Sequence, residues 1–167
     1  MAAIEEAIGE MADYSEIDVQ LSKDGVPVVC HDLNLSRVAG VDVSLKNLTL
    51  IELEQLDVGG HFSSRFEGEK IPSLEEVLEA CKGRIRLNIE LKSIGTKSPL
   101  PEVVTEMIKE NGNGRSVCDH LCFPGLSETG EGSRAGVKNR LYPASMPYWF
   151  LFIKMNLWIL SASGPAL

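Results

Sequence analysis

The sequence predicts an α/β fold of parallel β/α units, curled as part of a barrel, with an irregular C-terminal extension. Three observations carry this. Helical and extended patterns alternate along the first two-thirds of the chain, the signature of β/α units. Two extended runs, 15–21 and 85–92, are apolar on one face and polar or charged on the other. Strands of an open parallel sheet are covered on both faces and read as continuous apolar runs. A barrel instead sets the apolar face against outer helices and turns the polar face into the lumen, near an active site. On pattern alone, two half-exposed strands of an antiparallel sheet compete with this arrangement.

The elements follow in order. Ile4, Ala7, Ile8 and Met11 form one stripe of a helix over 4–12, with no N-cap before it, as for a chain that begins inside a larger design. In 15–21, Ile17, Val19 and Leu21 share one face and Glu16, Asp18 and Gln20 the other. Lys23-Asp24-Gly25 is a turn, and Val26–Cys30 is a short strand that Pro27 confines to an edge or rim. Thr49–Glu52 and Ser73–Glu76 are capping boxes opening two helices. The first is expected to end near Gly59. The second carries Leu74, Val77, Leu78 and Cys81 on one stripe and stops at Gly83. In 85–92, Ile85, Leu87, Ile89 and Leu91 point one way and Arg86, Asn88, Glu90 and Lys92 the other. A further helix over about 101–110 starts at Pro101 and ends at Asn111-Gly112.

After about residue 113 the character changes. Residues 125–136 are rich in Gly, Ser and Glu. Residues 147–160 hold both tryptophans but fall short of the ~20 residues a spanning helix needs, with Lys154 in their middle. No repeat is present.

The chain has 167 residues, with 24 acidic and 16 basic side chains and a net charge of −8. That charge argues against nucleic acid as a partner and against electrostatic docking on anionic membranes. The start, Met1-Ala-Ala-Ile-Glu-Glu, is acidic where a signal peptide would be basic. Four cysteines at this length do not make a disulfide scaffold. Cys118-Asp-His120-Leu-Cys122 has the outline of a zinc clip but lacks a second ligand pair at a recognised spacing.

Glu16 and Asp18 are two apart on a strand, so both carboxylates project to one side, and Glu90 lies on the polar face of the other strand. If the strands are neighbours, three hard oxygen donors converge, which suits Mg²⁺ or Ca²⁺ rather than zinc. Three solvated surface carboxylates are the plainer alternative. His31 ends a strand and precedes Asp32; near a metal it would serve as a general acid or base, and otherwise as a structural histidine. Lys92, two after Glu90, would bind an anionic phosphate oxygen or stand solvated at a strand end. His61 and His120 are assigned nothing.

Four blocks then resemble a known family. Glu16-Ile-Asp-Val-Gln-Leu-Ser-Lys-Asp-Gly-Val-Pro-Val-Val-Cys-His31-Asp32 is similar to the signature of the glycerophosphodiester phosphodiesterases. So are Leu48–Asp57, Gly68–Leu78 and Leu87-Asn-Ile-Glu-Leu-Lys92, in the family's order and spacing. The resemblance runs from about residue 3 to about 112. It implies a TIM (β/α)8 barrel of the phospholipase-C-like phosphodiesterase type and metal-dependent hydrolysis of glycerophosphodiesters to sn-glycerol 3-phosphate and an alcohol. It implies that Glu16, Asp18 and Glu90 bind the divalent cation, Mg²⁺ or Ca²⁺, and that Lys92 contacts the substrate phosphate. It makes His31 one of two catalytic histidines. One deprotonates the glycerol hydroxyl that attacks phosphorus; the other protonates the leaving alcohol. The substrate, a small glycerophosphodiester, is the partner so implied.

The departures bear on activity. No residue here matches the family's opening His-Arg-Gly and Glu-Asn-Thr, which hold the other histidine and a phosphate-binding Arg. A full barrel needs ~250 residues. The expectation is a partial phosphodiesterase domain over 1–112 and a divergent tail over 113–167, disordered or a short apolar helix. Turnover by such a chain would be impaired. An inactive fragment and a partner-binding half-barrel, self-associating through exposed barrel edges, stay open beside it. Relatives are cytoplasmic, secreted or membrane-attached; the sequence leaves the compartment open, favouring the cytoplasm with membrane association as the alternative.

Overall fold

The computed structural model describes residues 1–92 and 98–111, together with the backbone of Cys118–Cys122. Helix α1 (Ala2–Gly9) leads into strand β1 (Tyr14–Leu21), and a tight turn at Gly25 returns the chain as β2 (Pro27–Val29). Two single-turn helices, α2 (Ser36–Ala39) and α3 (Leu50–Leu53), precede α4 (Leu74–Cys81), β3 (Arg86–Leu91), α5 (Leu100–Glu110) and β4 (Cys118–Cys122). The sheet order is β2-β1-β3-β4. β1 pairs with β3, and β3 with β4, in parallel, while β2 is an antiparallel outer strand, where a proline does least harm. The central pair is thus parallel, and the antiparallel alternative falls.

Alternation decides what each face meets. Ile17 and Val19 of β1 and Leu87, Ile89 and Leu91 of β3 are buried against Leu74, Val77, Leu78 and Cys81 of α4, with Leu100, Val104 and Ile108 of α5 and Ile4 of α1 beside them. Each such aliphatic side chain contributes about 1.5–3 kcal/mol by leaving water. The apolar face is therefore the helix-facing one, as a barrel wall requires. A smaller cluster, Val28, Leu35, Leu45, Leu53 and Ile71, packs beneath the loops that follow β2.

Both capping boxes form. Thr49 accepts the Glu52 amide and Ser73 the Glu76 amide, while each glutamate accepts its cap residue's amide at 2.8 Å. The helix opened by Thr49 does not reach Gly59, however; α3 stops at Leu53. The Asp57 carboxylate accepts the Gly59 and Gly60 amides, each at 2.8 Å, and bends the chain into a loop. A side chain at Gly59 would run into the Phe66 carbonyl, so the loop closes only around glycine. Helix α1 begins without its own cap; Glu69 accepts the Ala2 amide at 3.1 Å in its place.

Strand β4 lies in a stretch to which the sequence analysis assigned no strand. The side chains of the Cys118–Cys122 motif and the aromatic run 147–160 lie outside the described residues. Among the described residues no helix is long and apolar enough to cross a membrane.

Fully buried Leu78 and exposed Ile51 (72 %) test the core. Leu78→Ala is expected to lower the unfolding free energy by about 2–5 kcal/mol, and Ile51→Ala by about 0.5 kcal/mol or less. Urea denaturation followed by circular dichroism compares them; similar losses would contradict this packing.

Candidate active site

The face of β1 opposite the core carries Glu16, Asp18 and Gln20. The parallel register sets Asp18 beside Glu90 and Glu16 beside Asn88. Carboxylate oxygens of Glu16, Asp18 and Glu90 come within 4.8 Å of one another, all three side chains half-buried. Lys92, one residue past β3, reaches back over this group, its Nζ 2.7 Å from Glu90 Oε1 and 3.0 Å from Asp18 Oδ1. Four of the five residues singled out from sequence are thereby brought together.

The electrostatics follow from crowding. Burial, then the Asp18 and Glu90 charges, push the Glu16 carboxyl up to about 7, against the pull of Lys92 and His31. Desolvation works to lower Lys92, but its hydrogen bonds to Glu90 and Asp18 prevail and hold it above its ordinary value. One ammonium facing three carboxylates leaves an excess of negative charge that a divalent cation would balance. The donors are all hard oxygens, so the residues present fit Mg²⁺ or Ca²⁺.

His31 follows β2, with its side chain 66 % exposed. Its backbone is held by Gln20, a residue that the sequence analysis left without a role. Gln20 is 5 % exposed, and its Nε2 donates to the carbonyls of Cys30 (2.7 Å), His31 (3.2 Å) and Asp32 (3.1 Å). The Cys30 amide also donates to the Asp18 carbonyl at 2.9 Å, tying the His31 loop to the carboxylate-bearing strand. The available signal was Gln20's place on the same strand face as Glu16 and Asp18. His31 Nδ1 lies 2.9 Å from Asp32 Oδ1, and Arg37 grips the same carboxylate. His61 is exposed in the loop between Asp57 and Glu69.

These strands are an arc of a TIM barrel whose inner face carries an acidic, lysine-bridged site. The glycerophosphoryl diester phosphodiesterase family model matches residues 1–120, reaching past the end of the resemblance into β4, and the chain belongs to that family. A glycerophosphodiester phosphodiesterase of Caldanaerobacter subterraneus is 40% identical over 112 residues, covering 66% of this chain and 46% of its own. A crystal structure of a glycerophosphodiester phosphodiesterase from Agrobacterium tumefaciens superposes with TM-score 0.65 at 34% identity, over 72% of this chain and 49% of that one. An Oleispira antarctica phosphodiesterase, solved with its product sn-glycerol-3-phosphate, gives TM-score 0.67 at 32% identity and the same coverages. The chain spans about half the length of the curated relatives it matches.

Glu16 makes a stability prediction. Its folded pKa, about 7, exceeds the ordinary value of 4.5, so the folded state holds this proton more tightly. The resulting stabilisation is full below about 4.5 and is lost as pH rises through about 7. In buffer with chelator, Glu16→Gln is expected to flatten the fall in stability between those values and to exceed the unsubstituted chain at pH 8. Parallel pH profiles of the two would contradict the crowding.

Proposed function

We propose that this site hydrolyses glycerophosphodiesters to sn-glycerol 3-phosphate and an alcohol with the aid of one divalent cation. The observation that carries the reading is the meeting of Glu16, Asp18, Glu90 and Lys92 on the inner face of neighbouring parallel strands, in a chain of this family. Glu16, Asp18 and Glu90 would hold Mg²⁺ or Ca²⁺. When bound, the ion supplies positive charge against the phosphoryl oxygens.

The chain's own groups do the rest. Lys92 bridges two carboxylates here; once a cation shares their charge, its ammonium is available to a phosphate oxygen of the substrate and holds the diester in place. His31, on a loop stapled to β1, moves a proton to or from the reacting oxygen. Partial burial of the carboxylates strengthens each of these interactions.

The test is release of glycerol 3-phosphate from glycerophosphocholine with Mg²⁺ or Ca²⁺ added. Glu90→Gln is expected to lower release by more than about a hundredfold, as losing several kcal/mol of charge stabilisation requires. It should also remove the cation's upward shift of the melting temperature. Release indifferent to chelator, or untouched by Glu90→Gln, sinks the proposal. The chain spans about half its relatives' length, which favours a second reading, binding without turnover. There the cation shift appears and is lost in Glu90→Gln, with no release in either.

A further inference from the structure

Asp32 has no part in the cation or substrate contacts above, yet both its oxygens are committed. Arg37 donates through Nε to Oδ2 and through Nη2 to Oδ1, each at 2.8 Å, a two-pronged grip that fixes the plane of the carboxylate. His31 Nδ1 lies 2.9 Å from Oδ1. The Asp32 side chain is 14 % exposed, while the His31 and Arg37 side chains that meet it are 66 % and 68 % exposed, so the geometry of the grip, more than burial, sets these contacts. Hydrogen bonding by Arg37 outweighs this burial and, with His31 adding to it, holds the Asp32 carboxyl below its ordinary range.

An ionised carboxylate can only accept hydrogen bonds. The Nδ1 that faces Asp32 must therefore carry a proton, and a neutral imidazole so arranged keeps its lone pair on Nε2. A solvated histidine prefers the opposite tautomer, so the contact imposes a state rather than recording one. Gln20 makes the imposition durable. By binding the carbonyls of Cys30, His31 and Asp32 together, it fixes the backbones from which imidazole and carboxylate both spring.

The geometry points to Asp32, clamped by Arg37, as the positioning residue that holds His31 in the Nδ1–H tautomer and leaves Nε2 to accept a proton at the site. The kinetic consequence rests on the hydrolase reading above; the tautomer itself does not.

The experiment is ¹⁵N NMR of the imidazoles in the full chain, in mildly alkaline buffer, where an ordinary histidine is neutral. The chain has three histidines, and His31→Gln identifies the relevant signals by their loss. The expected result is an Nδ1–H tautomer for His31. In Asp32→Asn, Arg37 would keep the amide oxygen and the NH₂ would face Nδ1, so the tautomer should reverse. Release of glycerol 3-phosphate should then fall in kcat by about 10- to 10⁴-fold with KM little changed. Should Asp32→Asn fail to fold, Arg37→Met, at an exposed guanidinium, decides: its spectrum must shift toward Nε2–H. An Nε2–H tautomer in the unsubstituted chain overturns the inference. So does an unchanged tautomer in Asp32→Asn, or a reversed one with unchanged kcat. The expected tautomer, reversed by Asp32→Asn, in a chain without turnover supports the inference and sinks the hydrolase reading instead.

Discussion

The site depends on the parallel register between β1 and β3. With Asp18 beside Glu90, two carboxylates meet across one ladder rung while Val19 and Leu91, on the other face, enter the core together. A slip of one residue would reverse both assignments at once, exposing aliphatic side chains and burying acids among helices. The burial that holds the strands in register is therefore also what crowds the carboxylates. Removing Val19 or Leu91 from water contributes about 1.5–3 kcal/mol each, against the repulsion of like charges on the polar side.

That repulsion is managed rather than avoided. Glu16 keeps its proton to near neutral pH, and Lys92 lies across the other two carboxylates. A lysine so placed stabilises the cluster without locking it, because an ammonium on a flexible stem can exchange partners when a stronger charge arrives. The same arrangement thus suits both a folded chain without cation and the proposed substrate contact with one. His31 is held differently, through backbone contacts to Gln20 and a side-chain contact to Asp32. The carboxylates are placed by a strand and the histidine by a loop, and the loop needs polar staples because it has no ladder of its own.

Much of this was legible in residue order. Strict alternation in 15–21 and 85–92 told core face from polar face, since a side-chain period of two admits no other division. The capping boxes at Thr49 and Ser73 placed two helix starts, because their hydrogen bonds close within four residues. The end of α3 was not legible. It depends on Asp57 turning the chain and on Val58 donating to the Glu69 carbonyl, a partner eleven positions away. Strand β4 escaped notice for a related reason: its pairing with β3 supplies what its own sequence pattern does not announce.

By itself, then, the sequence determined which side chains share a face, where helices open, and which acids, lysine and histidine were available for chemistry. These are local properties, set by backbone periodicity and short-range hydrogen bonds. Only the tertiary structure decided that β1 and β3 are neighbours in parallel, that Lys92 bridges Asp18 and Glu90, and that Gln20, Asp32 and Arg37 hold His31. The β1–β3 pairing, the Lys92–Asp18 contact and the Gln20 staples join segments ten or more positions apart, which local order does not encode; the His31–Asp32 and Asp32–Arg37 contacts are near in sequence but depend on the loop conformation that those staples fix.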